Sequence, residues 1–229
     1  MIASASGSTP GGSTSDVPLA HLVVIEVTSP DTAAAGELLA DAGADVILVD
    51  PADLGTGSGR QLFRHLVERA DVLVEAEPPG RLADLGIDYT DLTRRLTTGG
   101  IDPTPGPPPI NDRLIHASLT PLGRTDQGIM SDQSRSAPLT ELTIQARGGH
   151  LSAADSNGWP TPSRPVAPTA VAAHVAVLAI MTALITRPEH GSQFVDVSIL
   201  AAANLSAGPE TVVWLAGGGG SADDDDPGG

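Results

Sequence analysis

The stretch 18–51, PLAHLVVIEVTSPDTAAAGELLADAGADVILVDP, constrains this chain more than any other. Its first part, 21–27, is a short apolar run rich in β-branched residues, the mark of a buried strand. Asp31 is a candidate helix cap. Leu38, Leu39 and Ala42 fall on one helical face, and Gly43 ends the helix. A second apolar run, 46–49, follows. Strand, helix and strand in that order form a βαβ unit, so the sheet is expected to be parallel and covered on both faces. The loop after the first strand begins Thr28, Ser29, Pro30, Asp31 and is not glycine-rich. A dinucleotide-binding turn needs G-x-G-x-x-G there, so that pyrophosphate can approach the helix N-terminus. NAD binding is therefore disfavoured, and Asp50, at the end of the second strand, reads as a strand-end residue or a contact to the polar part of a ligand.

The same alternation continues. Strands are expected near 21–27, 45–50, 71–76, 113–119 and 193–199, and helices near 32–42, 60–70, 88–96, 168–187 and 200–207. The expected fold is α/β, a Rossmann-like doubly wound parallel sheet. Residues 1–17 are Gly/Ser/Thr-rich and read as a flexible tail without a signal-peptide pattern. A domain is expected over 18–216, with a Pro/Gly-rich surface loop at 98–112. The acidic low-complexity stretch 217–229 reads as disordered. Residues 166–185 are almost wholly apolar and long enough to span a bilayer. They are Ala-rich, include Thr169, His174 and Thr182, and lack flanking aromatic anchors, so a buried crossover helix is the preferred reading.

Composition removes several chemistries. The chain has no cysteine, which excludes disulfides, thiolate metal sites and a Cys nucleophile. All 12 basic residues are arginine, so no P-loop lysine, Schiff-base lysine or pyridoxal-phosphate site can be built. The net charge of −16 repels nucleic acid. Aromatics are only 2% of the chain, so the core must be made of Ala, Val, Leu and Ile. The six histidines show no metal-ligand spacing, and there is no G-x-S-x-G elbow. The segment Gly55-Thr-Gly-Ser-Gly59 fits neither phosphate fingerprint and reads as a flexible loop.

Five blocks carry a family resemblance. The opening stretch is followed by LFRHLVERADVLVEAEPPG at 62–80, LGIDYTDLTRRL at 85–96, RLIHASLTPLG at 113–123 and GSQFVDVSILAA at 191–202. Together, in this order, they resemble the class III coenzyme A transferases, the CaiB/BaiF family. That family includes formyl-CoA transferase, carnitine CoA-transferase and α-methylacyl-CoA racemase.

The resemblance implies the large N-terminal domain of such an enzyme. Members are longer, carry a second small domain and pair as interlocked rings, so a homodimer, or a heteromer with a homologous chain, is implied. It also implies a cytoplasmic protein with no permanently bound cofactor, acting on acyl-CoA and a carboxylic acid. The turn containing Glu75, Pro79 and Gly80 and the loop from Thr120 to Gly123 would contact CoA, together with Thr28, Ser29, Pro30 and Asp31. In transferase members an aspartate before the long central helix attacks the thioester and forms a mixed anhydride. The released CoA thiolate then attacks it, giving an enzyme thioester. The matching position here is Thr169, which cannot form an anhydride. Racemase members pass an α-proton between a His and an Asp; here the Asp position is again Thr169, and no His lies in the SDQSRSAPL stretch. His150, Asp155 and His174 are the other candidates, with His174 read as a core or interface histidine. The segment after Pro51 is also shorter than in the family. The resemblance thus implies a CoA-transferase-like protein, or a non-catalytic CoA-binding or dimerisation subunit or degenerate paralogue, whose own covalent aspartyl route is lost.

Overall fold

The computed structural model describes residues 3–5, 17–93, 109–124, 140–148, 150–152, 161–162 and 167–206. In chain order these form β1 (Ala3–Ala5), β2 (Val23–Val27), α1 (Ala33–Asp41), β3 (Asp45–Val49), α2 (Pro51–Leu54) and α3 (Gly57–Val67). Then come β4 (Val72–Glu75), α4 (Arg81–Asp84), α5 (Tyr89–Thr93), β5 (Ile115–Thr120) and α6 (Glu141–Arg147). The remainder is β6 (Leu151–Ser152), β7 (Thr161–Pro162), α7 (Pro168–His190), β8 (Gln193–Ser198) and α8 (Ile199–Ser206).

The main sheet has the order β1-β3-β2-β4-β5-β8. Every pair from β3 through β8 is parallel, as the alternation of strands and helices requires. Ala3–Ala5, inside the segment expected to be a tail, instead pairs antiparallel with β3. Its small side chains carry no periodic signal that could have announced a strand. The short helices α2, α4 and α6 were likewise not anticipated. The expected loop at 98–112 and the acidic stretch 217–229 fall mostly or wholly outside the described residues, as does Asp155.

Two cores sandwich the sheet. Val24, Val46, Val72, Val74, Ile115, Ala117 and Leu119 face α1, α7 and α8. Ile25, Val27, Leu73 and Phe63 pack on the opposite face with α3, α4 and α5. All four residues of β4 and all six of β5 are buried, the reading of a strand covered on both sides. α7 is the crossover between β5 and β8, and it buries a stripe of small residues: Ala172, Ala173, Ala176, Ile180 and Ala183. The helix is long and apolar enough to cross a membrane by length and composition. Among the described residues its other face is exposed, with Leu178 and Ile185 at 69% and 76%, so the expected buried crossover helix is buried along one stripe.

The order of strands creates the site. The chain leaves β2 toward β3, then returns past β2 to place β4 on its other side. Right-handed crossovers put α1 and α3 on opposite faces, and the loops after β2 and β4 diverge. The crevice between them opens at the carboxyl ends of the strands, where open α/β sheets hold ligands.

Candidate functional site

The loop after β2 is closed by its own side chains. Thr28 N–H donates to Val49 O at 2.9 Å, extending the ladder by one bond. Ser29 Oγ accepts from the N–H groups of Asp31 and Thr32 at 3.2 and 3.3 Å. The residue at the helix cap is Thr32, not Asp31 as the sequence suggested. The Thr32 hydroxyl is buried and donates to Glu26 Oε1 at 3.0 Å, so it is engaged below the loop rather than along the helix. Pro30 is exposed, and burial raises the Asp31 carboxyl above its ordinary range.

The second loop begins on a buried carboxylate. Glu75 ends β4 with no exposed side-chain area. Burial alone would raise its pKa. The hydrogen bond from His116 and the positive charge of Arg124 outweigh that and hold the carboxyl below its ordinary range. Glu75 Oε2 accepts from Glu77 N–H at 2.7 Å, fixing the start of the turn. Pro79 and Gly80 are exposed at its tip. Gly80 has φ +89°, a left-handed conformation that L side chains rarely adopt, yet a Cβ there would meet nothing within 4 Å among the described residues. The space above Gly80 is therefore open to an approaching molecule.

The third loop follows β5. Thr120 is 2% exposed, and its hydroxyl has no hydrogen-bond partner among the described residues. Gly123 is again left-handed, at φ +81°. The next residue, Arg124, reaches back over the sheet. Its Nε donates to Ser118 Oγ at 2.6 Å. Its Nη2 donates to both Glu75 oxygens at 3.0 and 3.1 Å and to Glu77 O at 3.0 Å. Tyr89, His116 and Phe194 form a ring cluster beside it, with centroids 5.2–6.1 Å apart.

The N-terminus of α7 faces the loop after β2. Thr169 lies in its first turn, half-buried. The Glu141 carboxylate accepts from both the backbone N–H and the hydroxyl of Thr169. Burial and the nearby charge of Asp31 raise the Glu141 carboxyl, while the bonds from Thr169 work in the opposite direction. One carboxylate from α6 and one from the loop after β2 thus flank the helix start that the resemblance marks as reactive.

The other candidates disperse. Asp50 caps α2, accepting Ala52 N–H on Oδ1 at 2.8 Å, which gives it a structural occupation in place of a ribose contact. The Gly55–Gly59 segment is not a loose loop. Thr56 caps α3 by accepting Gly59 N–H at 2.9 Å, and Gly57 already lies within the helix. A cavity of about 380 Å³ opens beside it at the carboxyl end of β3, lined by Val49, Asp53, Thr56, Gly59, Leu62 and Phe63. His174 is exposed on α7, its Nδ1 2.7 Å from Ala170 O, so of the core-or-interface reading the core alternative does not hold. His150 sits after α6, with its N–H donated to Gln145 O. Among the described residues no group of His, Asp and Glu is placed to hold a metal ion.

All three sequence-predicted loops therefore meet one sheet edge together with Thr169. What the sequence reading missed is the polar layer beneath them: Glu141, His116, Ser118, Arg124 and Asp196. One signal was available. In IHASLT the polar residues recur at every second position of a strand expected to be buried on both faces, and such polar groups need partners.

Comparison with known proteins agrees with this fold. The pattern of CoA-transferase family III matches residues 52–228. A stretch of 106 residues is 36% identical to the succinyl-CoA:(R)-benzylsuccinate CoA-transferase subunit BbsE of Thauera aromatica. That stretch is 46% of this chain and 21% of that protein. The crystal structure of a CaiB/BaiF family protein from Brucella suis superposes with a TM-score of 0.71 at 24% identity. It covers 88% of this chain and 58% of the Brucella chain. The hypothetical protein Rv3272 from Mycobacterium tuberculosis gives a TM-score of 0.67 at 22% identity, over 86% of this chain and 59% of its own. The fold is shared with both, and this chain spans little more than half the length of either. With the family pattern covering most of its residues, the chain belongs to CoA-transferase family III.

Proposed function

We propose that this chain binds a CoA thioester along the carboxyl edge of its sheet and takes part in moving CoA between an acyl-CoA and a carboxylic acid. CoA is a substrate in this reading, and no resident cofactor is required. The observation that carries it is the convergence of the loops at Thr28, Glu75 and Thr120 with the N-terminus of α7 on one edge. The ligand-binding loops of open parallel sheets gather in the same way. The open space above Gly80 and the cavity near Thr56 provide room along that edge.

Thr169 gives this reading a second part. A threonine ester is not displaced readily by a thiolate or a carboxylate, whereas an anhydride is. The reacting carboxylate is therefore supplied from elsewhere, by a homologous chain that carries an aspartate at the matching position. The Thauera relative is named as a subunit of its enzyme, which supports a multi-chain assembly. The same reading places the complex in the cytoplasm.

Two measurements test it. Calorimetric titration of the purified chain with CoA and an acyl-CoA should give saturable binding; its absence overturns the reading. In an exchange assay with an acyl-CoA donor and a labelled acid, the chain alone should show no transfer above background. Robust exchange by the unmodified chain, lost in Asp155→Ala, would show that the nucleophile has moved within this chain.

A further inference from the structure

Cross-strand register places three polar side chains in one row. Glu75 on β4 pairs with Ser118 on β5, and Ser118 pairs with Asp196 on β8. Parallel neighbours in register project their side chains to the same face. Here that is the face opposite Ile115, Ala117 and Leu119, which belong to the α1–α7 core. Arg124 spans the whole row. Nη2 holds Glu75, Nε holds Ser118, and the backbone N–H donates to both carboxylate oxygens of Asp196 at 2.9 Å. Two strand spacings come to about 10 Å, a distance that one arginine, counted from its N–H to its guanidinium, can cover.

The row is also the root of two loops. Glu75 begins the turn that ends in Gly80, and Nη2 of Arg124 additionally holds Glu77 O within that turn at 3.0 Å. Arg81 pairs with Glu77 from the far side of the same turn. Arg124 is the last described residue of the loop that starts at Thr120. The guanidinium is therefore the direct bond between two loops that separate strands deliver independently.

We propose that Arg124 is a positioning residue, which locks the loops 76–80 and 121–124 into one rigid wall of the CoA crevice. This rests on the reading of that edge as the CoA site. The chemistry suits arginine. Its planar fork satisfies a carboxylate, a hydroxyl and a carbonyl at once, and a lysine ammonium cannot match that set. Glu75 is fully buried, so without Arg124 its carboxylate keeps His116 and the Glu77 N–H but loses its arginine, and the turn loses its tie to the loop after β5.

The test compares Arg124→Lys and Arg124→Gln with wild type by amide hydrogen exchange and by CoA calorimetry. Arg187→Ala is the control, since it removes a similarly exposed arginine from an ion pair with Asp71 at the opposite end of β4. Arg124→Gln should raise exchange at least tenfold in both 76–80 and 121–124, although only one loop carries the substitution. Arg124→Lys should fall between it and wild type. CoA should bind at least tenfold more weakly to Arg124→Gln, while Arg187→Ala lowers the Tm and leaves CoA affinity within twofold. Faster exchange in 121–124 alone overturns the proposal. So does unchanged CoA affinity in Arg124→Gln. Failure of wild type to bind CoA would sink the functional reading instead, and the exchange result would still decide whether Arg124 couples the loops.

Discussion

Two buried carboxylates, Glu75 and Glu26, sit in opposite electrostatic environments, and pH separates them. Glu75 has His116 and Arg124 as partners, and its carboxyl is held below the ordinary value of 4.5. An acid with a depressed folded-state pKa stabilises the fold above its unfolded pKa, and loses that contribution as pH falls through the folded value. Glu26 has the Thr32 hydroxyl as hydrogen-bond donor, and burial pushes its carboxyl up from 4.5. Its charge is a cost that is absent when the group is protonated and grows as pH rises past 4.5. Glu75→Gln should therefore destabilise at pH 7 by about 3 kcal/mol, the scale of a broken buried ion pair. Glu26→Gln should stabilise at pH 7 by about 1 kcal/mol, since it keeps an acceptor for Thr32 and removes a buried charge. Both differences should shrink toward zero in acid. Urea unfolding of the two variants between pH 3 and pH 8 measures this directly.

At the scale of elements, capping explains why a segment that reads as loop becomes helix. Gly57 and Gly59 stand in the first turn of α3, and glycine is a weaker helix former than alanine by up to about 1 kcal/mol. Thr56 offsets part of that loss by accepting Gly59 N–H, and its hydroxyl donates back to Asp53 O at 2.9 Å. A side chain at Gly59 has no room, because its Cβ would stand 1.9 Å from Asp53 O. Phe63 and Val67 then anchor the far turns in the core. Thr56→Ala should cost about 1 kcal/mol, and Thr56→Ser should recover most of it. A shift of the urea midpoint at constant m-value checks both. Similar reasoning applies at the end of α1, where the left-handed Gly43, φ +99°, lets the chain turn into β3 at once.

For the whole molecule, one sheet is shared by two cores, so neither core can melt alone. Among the described residues Phe63 is the largest fully buried side chain, and it lies on the face away from α7. Phe63→Ala should cost about 3–5 kcal/mol. It should lower a single transition seen alike by far-ultraviolet circular dichroism and by hydrogen exchange of the β5 amides. Two separate transitions would show that the faces unfold independently.

Short-range pattern in the sequence determined the five parallel strands, the helices α1, α3, α7 and α8, and the loops that end at the crevice. Each follows from periodicity or punctuation within about ten residues, which the local backbone obeys wherever it folds. Thr169 was singled out by the family resemblance and not by local pattern. Tertiary structure alone decided what touches what across strands. Glu75 and Arg124 are 49 residues apart, and register alone sets them in one row with Ser118 and Asp196. Glu141 meets Thr169 only because α6 packs against α7. Ala3–Ala5 becomes a strand because β3 offers it an unpaired edge, a property of the sheet and not of those three residues.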